Sequence, residues 1–466
     1  MADEYKLNDN FKIINGSNLD VLPTIADNSI DAIVTDPPYE IGFMSRKWDN
    51  TGIAYNIELW KQALRVLKPG GYLLAFGGTR TYHRITVAIE DAGFEIRDCI
   101  MWLYGCGFPK SHNIGLAVDE LRGVESKVVG KMDAPDLHDV GVKQKALGNG
   151  HVQSFGQIEN AERMQYEIKE AQNEWNGWGT ALKPAYEPVV VARKPIEEKT
   201  VAENCLKYGT GGINIDECRV GSGGGYQKVD IIPNSASKNC GFGCDGKVIP
   251  IDKGRFPANV ITDGSDEVAA GMPNTKSSKT ANDDRENKNN SMFIDGVHNM
   301  SNSYDDEGSA MRYFYQAKAS KKDRDAGLEK FETMQATDGC IRSNADTARM
   351  FGANSILKKN IHPTVKPVEL MQYLVRLVTA KGGTVLDIFN GSGSTGKAVA
   401  FENRERNAGY KYIGIELEKQ YCEISLSRID YALNKFVYDE LKYIEEEKKR
   451  KQENGEVDLF DFAEGY

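Results

Sequence analysis

Two stretches of this chain alternate short apolar runs with segments of helical periodicity, and no other feature restricts the fold as strongly. Near the N-terminus, Ile30–Thr35 has the composition of a buried strand, 57–67 carries apolar residues at helical spacing, and 72–76 is strand-like again. The pattern returns near the C-terminus, where strand-like runs at 383–388 and 412–416 flank a helical segment. Strands that alternate with helices form parallel sheets, because a crossover helix returns the chain to the same edge. The sequence therefore predicts a doubly wound α/β domain. The predicted helices are 57–67, 84–92, 369–380, 396–403 and 424–451, and the predicted strands are 30–35, 72–76, 94–104, 187–193, 383–388 and 412–416.

The central part of the chain has a different texture. From Gly105 onward it is polar and glycine-rich, and 274–309 is dominated by Asn, Asp, Ser and Lys, which favours a mobile loop. A chain of 466 residues is also too long for one compact core. The predicted division is an α/β half over 1–105, an insertion over 106–360 that contains the strand at 187–193, a second α/β half over 361–433, and a charged helix with a tail over 434–466.

An Asp-Pro-Pro-Tyr motif directly follows the first predicted strand, where open α/β sheets place their ligand-binding loops. The exocyclic amine of adenine or cytosine is a poor nucleophile, because its lone pair is delocalised into the ring until acceptors hold its hydrogens. Asp36 offers a carboxylate, and Pro37 offers a backbone carbonyl in a segment stiffened by its own ring and that of Pro38. Tyr39 offers a flat face on which an extruded base can stack. The motif therefore predicts a site that activates a base amine. The alternative is a surface turn, in which Asp-Pro is common.

A glycine-rich loop follows the strand predicted at 383–388. Gly391, Gly393 and Gly396 have the G-x-G-x-x-G spacing, and Glu416 ends the next predicted strand. Glycines let a ligand approach the backbone closely, and an acid at that strand end can accept both ribose hydroxyls. The loop therefore predicts a nucleoside-binding site, and a glycine turn without a ligand is the alternative.

A nicotinamide dinucleotide is one rival ligand for this loop. In dinucleotide sites the glycine turn follows its strand directly and receives a pyrophosphate, whereas here 387–390 intervene and Asp387 would repel phosphate. S-adenosylmethionine has no phosphate and carries a sulfonium and an ammonium, so the acid favours it.

Composition excludes several classes of protein. No apolar run approaches the ~20 residues of a membrane span, and the N-terminus lacks a signal-peptide pattern, so a cytoplasmic location is predicted. The net charge of −10 argues against nonspecific coating of nucleic acid but allows a local basic groove. The eight cysteines are scattered, which predicts reduced thiols. Cys240 and Cys244 form the only close pair, and a zinc site would need a second pair or histidines at matching spacing, so no metal is predicted.

These motifs resemble those of the β-group amino-methyltransferases of DNA, which methylate N6 of adenine or N4 of cytosine. In that family Asp-Pro-Pro-Tyr precedes the cofactor loop, with a target-recognition region between them. His-Pro-Thr-Val-Lys-Pro at 362–367 and Phe-Asn-Gly-Ser-Gly-Ser-Thr at 389–395 are also typical of it. The resemblance covers roughly 10–105, 185–195 and 360–430, and segments at 102–110, 181–188 and 315–320 resemble a phage-associated branch without a companion nuclease. It implies a Rossmann-like S-adenosylmethionine-dependent methyltransferase fold with circularly permuted motif order and a target-recognition region within 106–360.

The resemblance also implies roles for individual residues. Asp36, Pro37, Pro38 and Tyr39 would take the base, and Thr364 and Lys366 would lie beside the methionine end of the cofactor. The other implied cofactor-binding residues are Asp387, Phe389, Asn390, Gly391, Gly393, Thr395 and Glu416.

One departure from the family lies near the N-terminus. The family usually has Gly-Asp ahead of the catalytic strand, and this chain has Gly16-Ser17. A carboxylate expected to touch the cofactor adenine is therefore missing or replaced by Asp20.

The predicted function is site-specific methylation of N6 of adenine in double-stranded DNA, with the base rotated out of the duplex. N4-cytosine methylation is the nearest alternative, although cytosine enzymes of this group more often carry Ser-Pro-Pro-Tyr. Methylation of RNA or of a protein amide is a second alternative, although protein-glutamine enzymes usually carry Asn in place of Asp36. A DNA-binding protein with a vestigial site is the third. The recognised DNA sequence is not predicted, since 200–355 shows no helix-turn-helix or zinc-finger spacing. The oligomeric state is also open, although relatives often form homodimers.

His362 and a basic cluster have two interpretations each. His362 could be a general base, but the proton can leave after methyl transfer, so a structural role is predicted. The basic residues could meet DNA phosphates or face solvent; they are Lys318, Lys321, Lys322 and Arg324.

The C-terminal tail carries an apolar pair, Leu459 and Phe460, that is expected to be exposed. The segment from Glu456 to Phe460 resembles the short peptides that bacterial replication proteins dock on the sliding clamp, although it has Glu456 where glutamine is usual and Val457 where leucine is usual. The alternative is that Leu459, Phe460 and Phe462 fold back onto the catalytic domain.

Overall fold

The computed structural model describes residues 2–42, 47–105, 107, 111–133, 144–146, 152–154, 165–221, 225–230, 246–251, 253–276, 307–317, 321–331, 334–336 and 356–435. Cys240 and Cys244, most of the polar loop and the tail at 456–460 lie outside these ranges. What the sequence predicts for them stays a prediction.

One mixed sheet within the described residues takes in both ends of the chain. In chain order its strands are β1 (Asp3–Asn8), β2 (Phe11–Asn15), β3 (Ile30–Thr35), β4 (Leu67–Phe76), β5 (Glu95–Leu103), β6 (Tyr186–Arg193), β7 (Val260–Thr262), β8 (Tyr315–Gln316), β9 (Thr384–Asp387) and β10 (Lys411–Glu416). Across the sheet the order is β1-β2-β10-β9-β3-β4-β6-β5-β7-β8. Neighbours from β2 to β4 run parallel, whereas β6 is antiparallel to both β4 and β5. The predicted α/β fold is confirmed.

Helices cover both faces of this sheet. The described helices are α1 (Asn18–Val21), α2 (Ile57–Val66), α3 (Tyr82–Asp91), α4 (Ile114–Arg122), α5 (Val201–Tyr208), α6 (Asp266–Gly271), α7 (Lys321–Asp325), α8 (Val368–Val378), α9 (Ser394–Arg406) and α10 (Lys419–Leu433). Ala32 and Val34 of β3 belong to a buried cluster with α8 and α9, whereas Ile33 belongs to a second cluster with α2 and α3. Alternate side chains of a strand point to opposite faces, so β3 is buried on both and carries an unbroken apolar run.

The structure corrects the start of the strand predicted at 72–76. β4 begins at Leu67 and runs through 68–71 before it reaches the predicted strand. Its pairing with β3 shifts register between Ile30 and Ala32, and Gly70 adopts a φ of +80° there. The glycines and proline therefore form a bulge inside a strand, because glycine tolerates the left-handed backbone that a bulge requires.

The other predicted elements are present with shifted ends. The strand predicted at 187–193 is β6, and the helix predicted at 369–380 is α8. The helix predicted to begin at residue 424 starts at Lys419 and is described as far as Leu433. Ends shift because caps and tertiary contacts set them more than periodicity does. β1, β2, β7 and β8 were not predicted.

The described residues divide into two compact units. The first takes its residues from 1–106, 186–332 and 359–466 and contains the whole sheet. The second takes its residues from 107–185 and 333–358. The insertion predicted over 106–360 is therefore shared between the two units, since β6, β7 and β8 complete the sheet of the first.

Within the second unit, Asp119 of α4 organises the fold. Its carboxylate accepts hydrogen bonds from Ser126 at 3.0 Å, from the backbone N–H of Gln172 at 2.9 Å and from Asn173 at 2.6 Å. These bonds tie α4 to the strand that precedes Gln172.

The remaining described strands form two-stranded ladders in the two units: Lys127–Asp133 with Gln165–Glu170, Gln144–Ala146 with Val152–Ser154, Gly225–Asp230 with Gly246–Ile251, Asn274–Lys276 with Glu307–Ser309, and Met334–Ala336 with Ile356–Lys358.

No helix in the described ranges combines the length and apolar character that a membrane crossing requires.

Candidate active site

Three acidic residues lie at one edge of the sheet. β3, β9 and β10 are parallel neighbours, and Leu386 of β9 pairs in register with Ile33 of β3. Asp36 follows β3, Asp387 ends β9, and Glu416 ends β10. Because the carboxyl ends of parallel strands meet at the same edge, the two predicted motifs share one site.

Lys366 joins Asp36 to two further side chains. Its Nζ donates to Asp36 Oδ2 at 2.7 Å and to the hydroxyl of Tyr39 at 3.1 Å. It also lies 3.2 Å from Glu187 Oε2. The Tyr39 hydroxyl in turn donates to that Glu187 oxygen at 2.7 Å. Three acceptors therefore surround an ammonium that has three N–H donors.

The second carboxylate oxygen of Asp36 is an orphan. Among the described residues, Oδ1 of Asp36 is buried and has no hydrogen-bond partner. A buried acceptor without a donor costs about 1–3 kcal/mol, and such groups are a small minority of buried polar atoms in folded proteins. Asp36 therefore offers a strong acceptor to a ligand that brings an N–H or O–H.

Burial and neighbouring charges act on the ionisation of this group. Burial raises the pKa of the Asp36 carboxyl above its usual value, Lys366 opposes that rise, and Glu187 adds to it. Burial would lower the pKa of Lys366, but the Asp36 and Glu187 carboxylates raise it above its usual range. Burial also raises the pKa of Tyr39, so its hydroxyl remains a donor. The two carboxylates therefore favour the charged form of Lys366.

The ring of Tyr39 depends on the loop that follows β4. Thr81 Oγ1 donates to the backbone carbonyl of Tyr39 at 2.6 Å. A Cβ added to Gly78 would lie 3.1 Å from Tyr39 Cδ2, so a larger residue there would crowd the ring. The pair of glycines after β4, which the sequence shows only as a strand end, packs against the site.

Asp387 organises the glycine-rich loop. Its Oδ1 accepts from Thr35 Oγ1 at 2.7 Å and from the backbone N–H of Phe389 at 3.1 Å. Its Oδ2 accepts from Thr395 Oγ1 at 2.6 Å. One carboxylate thus ties the end of β3, the end of β9 and the first turn of α9 together.

The loop itself is held by its glycines and by Glu416. The backbone N–H of Gly391, whose φ is +51°, donates to Glu416 Oε2 at 2.7 Å. Asn390 Nδ2 donates to Ser425 Oγ at 2.9 Å. Gly393 has a φ of +76°, and a Cβ added there would lie 2.3 Å from Ser425 Oγ. The loop therefore lies tightly against α10.

The two acids of this half suit a cationic ligand. Burial raises the pKa of Asp387 to about 6 and that of Glu416 to about 7. In the part of the chain that the structure describes, both carboxylates accept hydrogen bonds but neither pairs with a lysine or an arginine. A ligand with a positive charge would lower both pKa values, whereas a pyrophosphate would be repelled. The dinucleotide interpretation is therefore disfavoured.

His362 and Thr364 lie beside the glycine loop. His362 Nδ1 lies 3.1 Å from the Thr364 carbonyl and so carries the hydrogen. Burial lowers the pKa of His362 to about 3. Its ring meets that of Tyr421 edge to face at 4.6 Å, and it lies where a Cβ of Gly391 would be. A neutral, packed ring agrees with the structural role predicted for His362.

Two sequence expectations acquire a definite environment. Asp20 is exposed on α1, whereas the neighbouring Asn18 is buried and its Nδ2 lies 3.4 Å from the Ile388 carbonyl. Arg324 donates to the carbonyl of His362 at 2.7 Å. Part of the Arg324 guanidinium is thus engaged within the protein, and its phosphate contact stays a prediction. The lysine side chains of that basic cluster lie outside those described.

Glu187 is a residue of this candidate site that the sequence reasoning missed. It is the second residue of β6, and the pattern marked this segment only as a strand. The signal that could have found it is an acid at the start of a strongly apolar strand, beside the prolines and the tyrosine of its flank.

In the described residues, no group of three His, Cys, Asp or Glu side chains is placed to hold a metal ion.

Most of this chain matches a known protein family. The family model described as DNA methylase matches residues 30–427. The chain is 40% identical over 76 residues to the type II methyltransferase M.BglI of Bacillus subtilis, which is 16% of this chain and 20% of that protein. It is 24% identical over 245 residues to M.HindIII of Haemophilus influenzae, which is 43% of this chain and 64% of that protein.

A third relative is the DNA adenine methyltransferase YhdJ of Escherichia coli, 39% identical over 93 residues, or 20% of this chain and 28% of that protein. The chain thus spans less than two thirds of the length of each of these three relatives. Among solved structures, the cytosine-N4-specific PvuII DNA methyltransferase aligns over 92% of this chain and 94% of its own, at 12% identity and a TM-score of 0.39.

Proposed function

The chain belongs to the DNA methylase family of N6/N4 amino-methyltransferases, and on that premise we propose that it transfers a methyl group from S-adenosylmethionine to N6 of adenine in double-stranded DNA. The base would be rotated out of the duplex to reach the edge of the sheet, since the amine is inaccessible inside the stack.

The orphan oxygen of Asp36 is the observation that carries this proposal. An adenine amine has two N–H donors, and Asp36 Oδ1 is a buried acceptor without a donor. When Oδ1 accepts one hydrogen and the backbone carbonyl of Pro37 accepts the other, the nitrogen becomes pyramidal and its lone pair is released from the ring. Tyr39, fixed through its hydroxyl by Glu187 at 2.7 Å, offers its ring face to the base.

Bound S-adenosylmethionine supplies an electrophilic methyl group on a positively charged sulfur. The residues that would hold it are the two strand-end acids, Asp387 and Glu416, with the loop backbone at Gly391 and Gly393. Glu416 would accept the ribose hydroxyls, and Asp387 would favour the cation through the field of its carboxylate. Phe389, Asn390, Thr364 and Thr395 complete the proposed cofactor site from the loop and from the segment ahead of α8.

N4-cytosine methylation is the second candidate, because cytosine presents the same kind of amine. Asp36 in the first motif position favours adenine. The two bases differ in ring size, but the same residues at the edge of the sheet would contact the amine of either one.

Radiolabelled S-adenosylmethionine and bacterial genomic DNA test the proposal directly. We expect label in DNA and N6-methyladenine after digestion to nucleosides. N4-methylcytosine would overturn the choice of adenine. No incorporation into any DNA would overturn the activity and favour a DNA-binding protein with a vestigial site.

We further propose that the region within 106–360 supplies target recognition and that the protein acts in the cytoplasm, where its DNA lies. A homodimer and a sliding-clamp contact through Glu456 to Phe460 belong to the same proposal. Gel filtration with light scattering tests the first of these partners. The second is tested with the isolated tail peptide, as argued in the Discussion.

A further inference from the structure

Four ionisable side chains form one hydrogen-bonded group at the proposed site, which we call the Lys366 cluster: Asp36, Tyr39, Glu187 and Lys366. We propose that Lys366 and Glu187 are positioning residues for the methyl transfer. Lys366 holds Asp36 by one oxygen and leaves the other for the base amine, while Glu187 holds both Lys366 and the Tyr39 ring. The inference rests on the proposed function and assigns this reaction a carboxylate outside its two motifs.

Lys366 faces three acceptors with its three N–H bonds. It donates to Asp36 Oδ2 at 2.7 Å and to the Tyr39 hydroxyl at 3.1 Å, and it forms an ion pair with Glu187 Oε2 at 3.2 Å. A carboxylate held by one oxygen in this way cannot exchange its two oxygens by rotation without breaking a charged hydrogen bond. Oδ1 of Asp36 is consequently the oxygen that is free to accept from a ligand.

Glu187 completes the cluster from an antiparallel strand. β6 runs opposite to β4, and Val189 pairs with Phe76 at the carboxyl end of β4. The first residues of β6 therefore lie beside the last residues of the parallel strands, which is the edge where Asp36 lies. Glu187 Oε2 accepts from the Tyr39 hydroxyl and contacts Lys366, so one oxygen fixes both.

The charges of the cluster predict opposite effects for its two positioning residues. Lys366 stabilises the ionised form of Asp36, and Glu187 destabilises it. Tyr39 is neutral, and the remaining acid near Asp36 is Asp387 at the end of β9, whose own pKa is raised in part by Asp36. Removing Lys366 must therefore raise the pKa of Asp36, and neutralising Glu187 must lower it.

The test is the pH dependence of the single-turnover rate of methyl transfer, at saturating S-adenosylmethionine and DNA. Loss of activity at low pH reports protonation of Asp36 in the complex. Lys366→Met is expected to move this acid limb to higher pH, and Glu187→Gln, which keeps an acceptor for Tyr39, is expected to move it to lower pH. At the pH optimum Lys366→Met is expected to lose on the order of 100-fold in rate, because the carboxylate is no longer held in place.

Two further variants separate charge from geometry. Lys366→Arg keeps the positive charge but not the arrangement of three acceptors, so it should lower the rate while leaving the acid limb near its wild-type position. Combining Lys366→Met with Glu187→Gln restores the wild-type net charge of the cluster. This double variant should bring the acid limb between those of the single variants, with the rate still low.

Lys68→Met is the matched control. Lys68 Nζ pairs with Asp31 Oδ1 at 2.6 Å near the opposite end of β3, so this variant also breaks a lysine–aspartate pair on the strand that leads to Asp36. It is expected to change the melting temperature without moving the acid limb. Calorimetric binding of S-adenosylmethionine to each variant shows whether the cofactor site is intact.

The inference is overturned if the acid limbs of Lys366→Met and Glu187→Gln move in the same direction or stay at the wild-type position. If Lys366→Met does not fold, Glu187→Gln and Lys366→Arg still decide the question, since both keep a charged partner for Asp36. An inactive wild-type protein would instead overturn the proposed function, so the two failures are distinguishable.

Discussion

At the scale of single residues, the two oxygens of Asp36 have different environments. Oδ2 accepts from Lys366 at 2.7 Å, whereas Oδ1 is buried without a partner in the described residues. In the free protein the unpaired Oδ1 carries a cost in free energy, and a bound base amine would remove that cost by donating a hydrogen bond. Catalysis of this kind stores its driving force in the folded site before the substrate arrives.

Asp36→Ala should therefore strongly reduce methyl transfer while leaving S-adenosylmethionine binding largely intact. We expect a loss of about 100- to 1,000-fold in rate, the usual effect of removing one group that stabilises developing charge. Lys366 keeps Glu187 at 3.2 Å in this variant, so no unpaired charge is created. Rate measurements with calorimetry of cofactor binding check the prediction, and activity within tenfold of wild type would contradict it.

The raised pKa of Glu416 predicts that cofactor binding depends on pH. Burial raises its pKa to about 7, so the carboxylate is ionised above that pH and protonated below it. An ionised acid accepts ribose hydroxyls more strongly than a protonated one. The dissociation constant of S-adenosylmethionine should therefore rise as the pH falls from 8 to 6, by up to about tenfold per unit below the pKa.

Glu416→Gln is the control for this prediction, because glutamine does not titrate. Calorimetry on both proteins over the same pH range subtracts any titration of the cofactor itself. Asp387, with a pKa raised to about 6, contributes at the lower end of the range in both. Identical pH profiles for wild type and variant would show that Glu416 does not contact the cofactor.

At the scale of elements, the glycine-rich loop is defined by the helix behind it. Gly393 starts α9 with a left-handed φ of +76°, and α10 lies so close that an added Cβ would meet Ser425. The position of the loop against α10 is thus fixed both by steric contact with Ser425 and by hydrogen bonds.

Gly393→Ala should lower the free energy of unfolding by about 1–3 kcal/mol. It should also weaken cofactor binding, because the loop would have to move. Gly382→Ala is the matched control, since Gly382 has nearly the same φ, +78°, but open space around its Cβ position. Thermal unfolding of both variants separates the backbone cost from the steric cost. Equal destabilisation, or unchanged cofactor binding in Gly393→Ala, would contradict this account of the loop.

At the scale of the whole molecule, the tail segment at 456–460 lies outside the described residues, and its proposed partner is the sliding clamp. We expect a peptide of the last fifteen residues to bind a purified bacterial sliding clamp with micromolar affinity, because Leu459 and Phe460 would anchor it in an apolar pocket. Fluorescence anisotropy measures this binding. The same peptide with both residues replaced by alanine should not bind, and absence of binding by the wild-type peptide at high micromolar concentration would defeat the proposal.

The sequence by itself determined the α/β class, most of the sheet's central strands and the two motifs at their ends. β3 is readable because a strand buried on both faces needs an unbroken apolar run, and α8 because a buried helix has apolar residues at its own period. The glycine loop is readable because left-handed backbone at Gly391 and Gly393 requires glycine. These are local constraints, and local sequence encodes them.

The tertiary structure alone decided how the site is assembled. Lys366 and Asp36 are 330 positions apart in the chain, and Glu187 reaches the same edge because β6 is antiparallel to its neighbours. Strand order and direction depend on how the whole chain closes, so no local pattern states them. The bulge at Gly70 and the short strands β7 and β8 were missed for the same reason, since partners distant in sequence define them. The sequence thus predicted Asp36 as the candidate carboxylate, whereas the tertiary structure determined that Lys366 and Glu187 lie beside it.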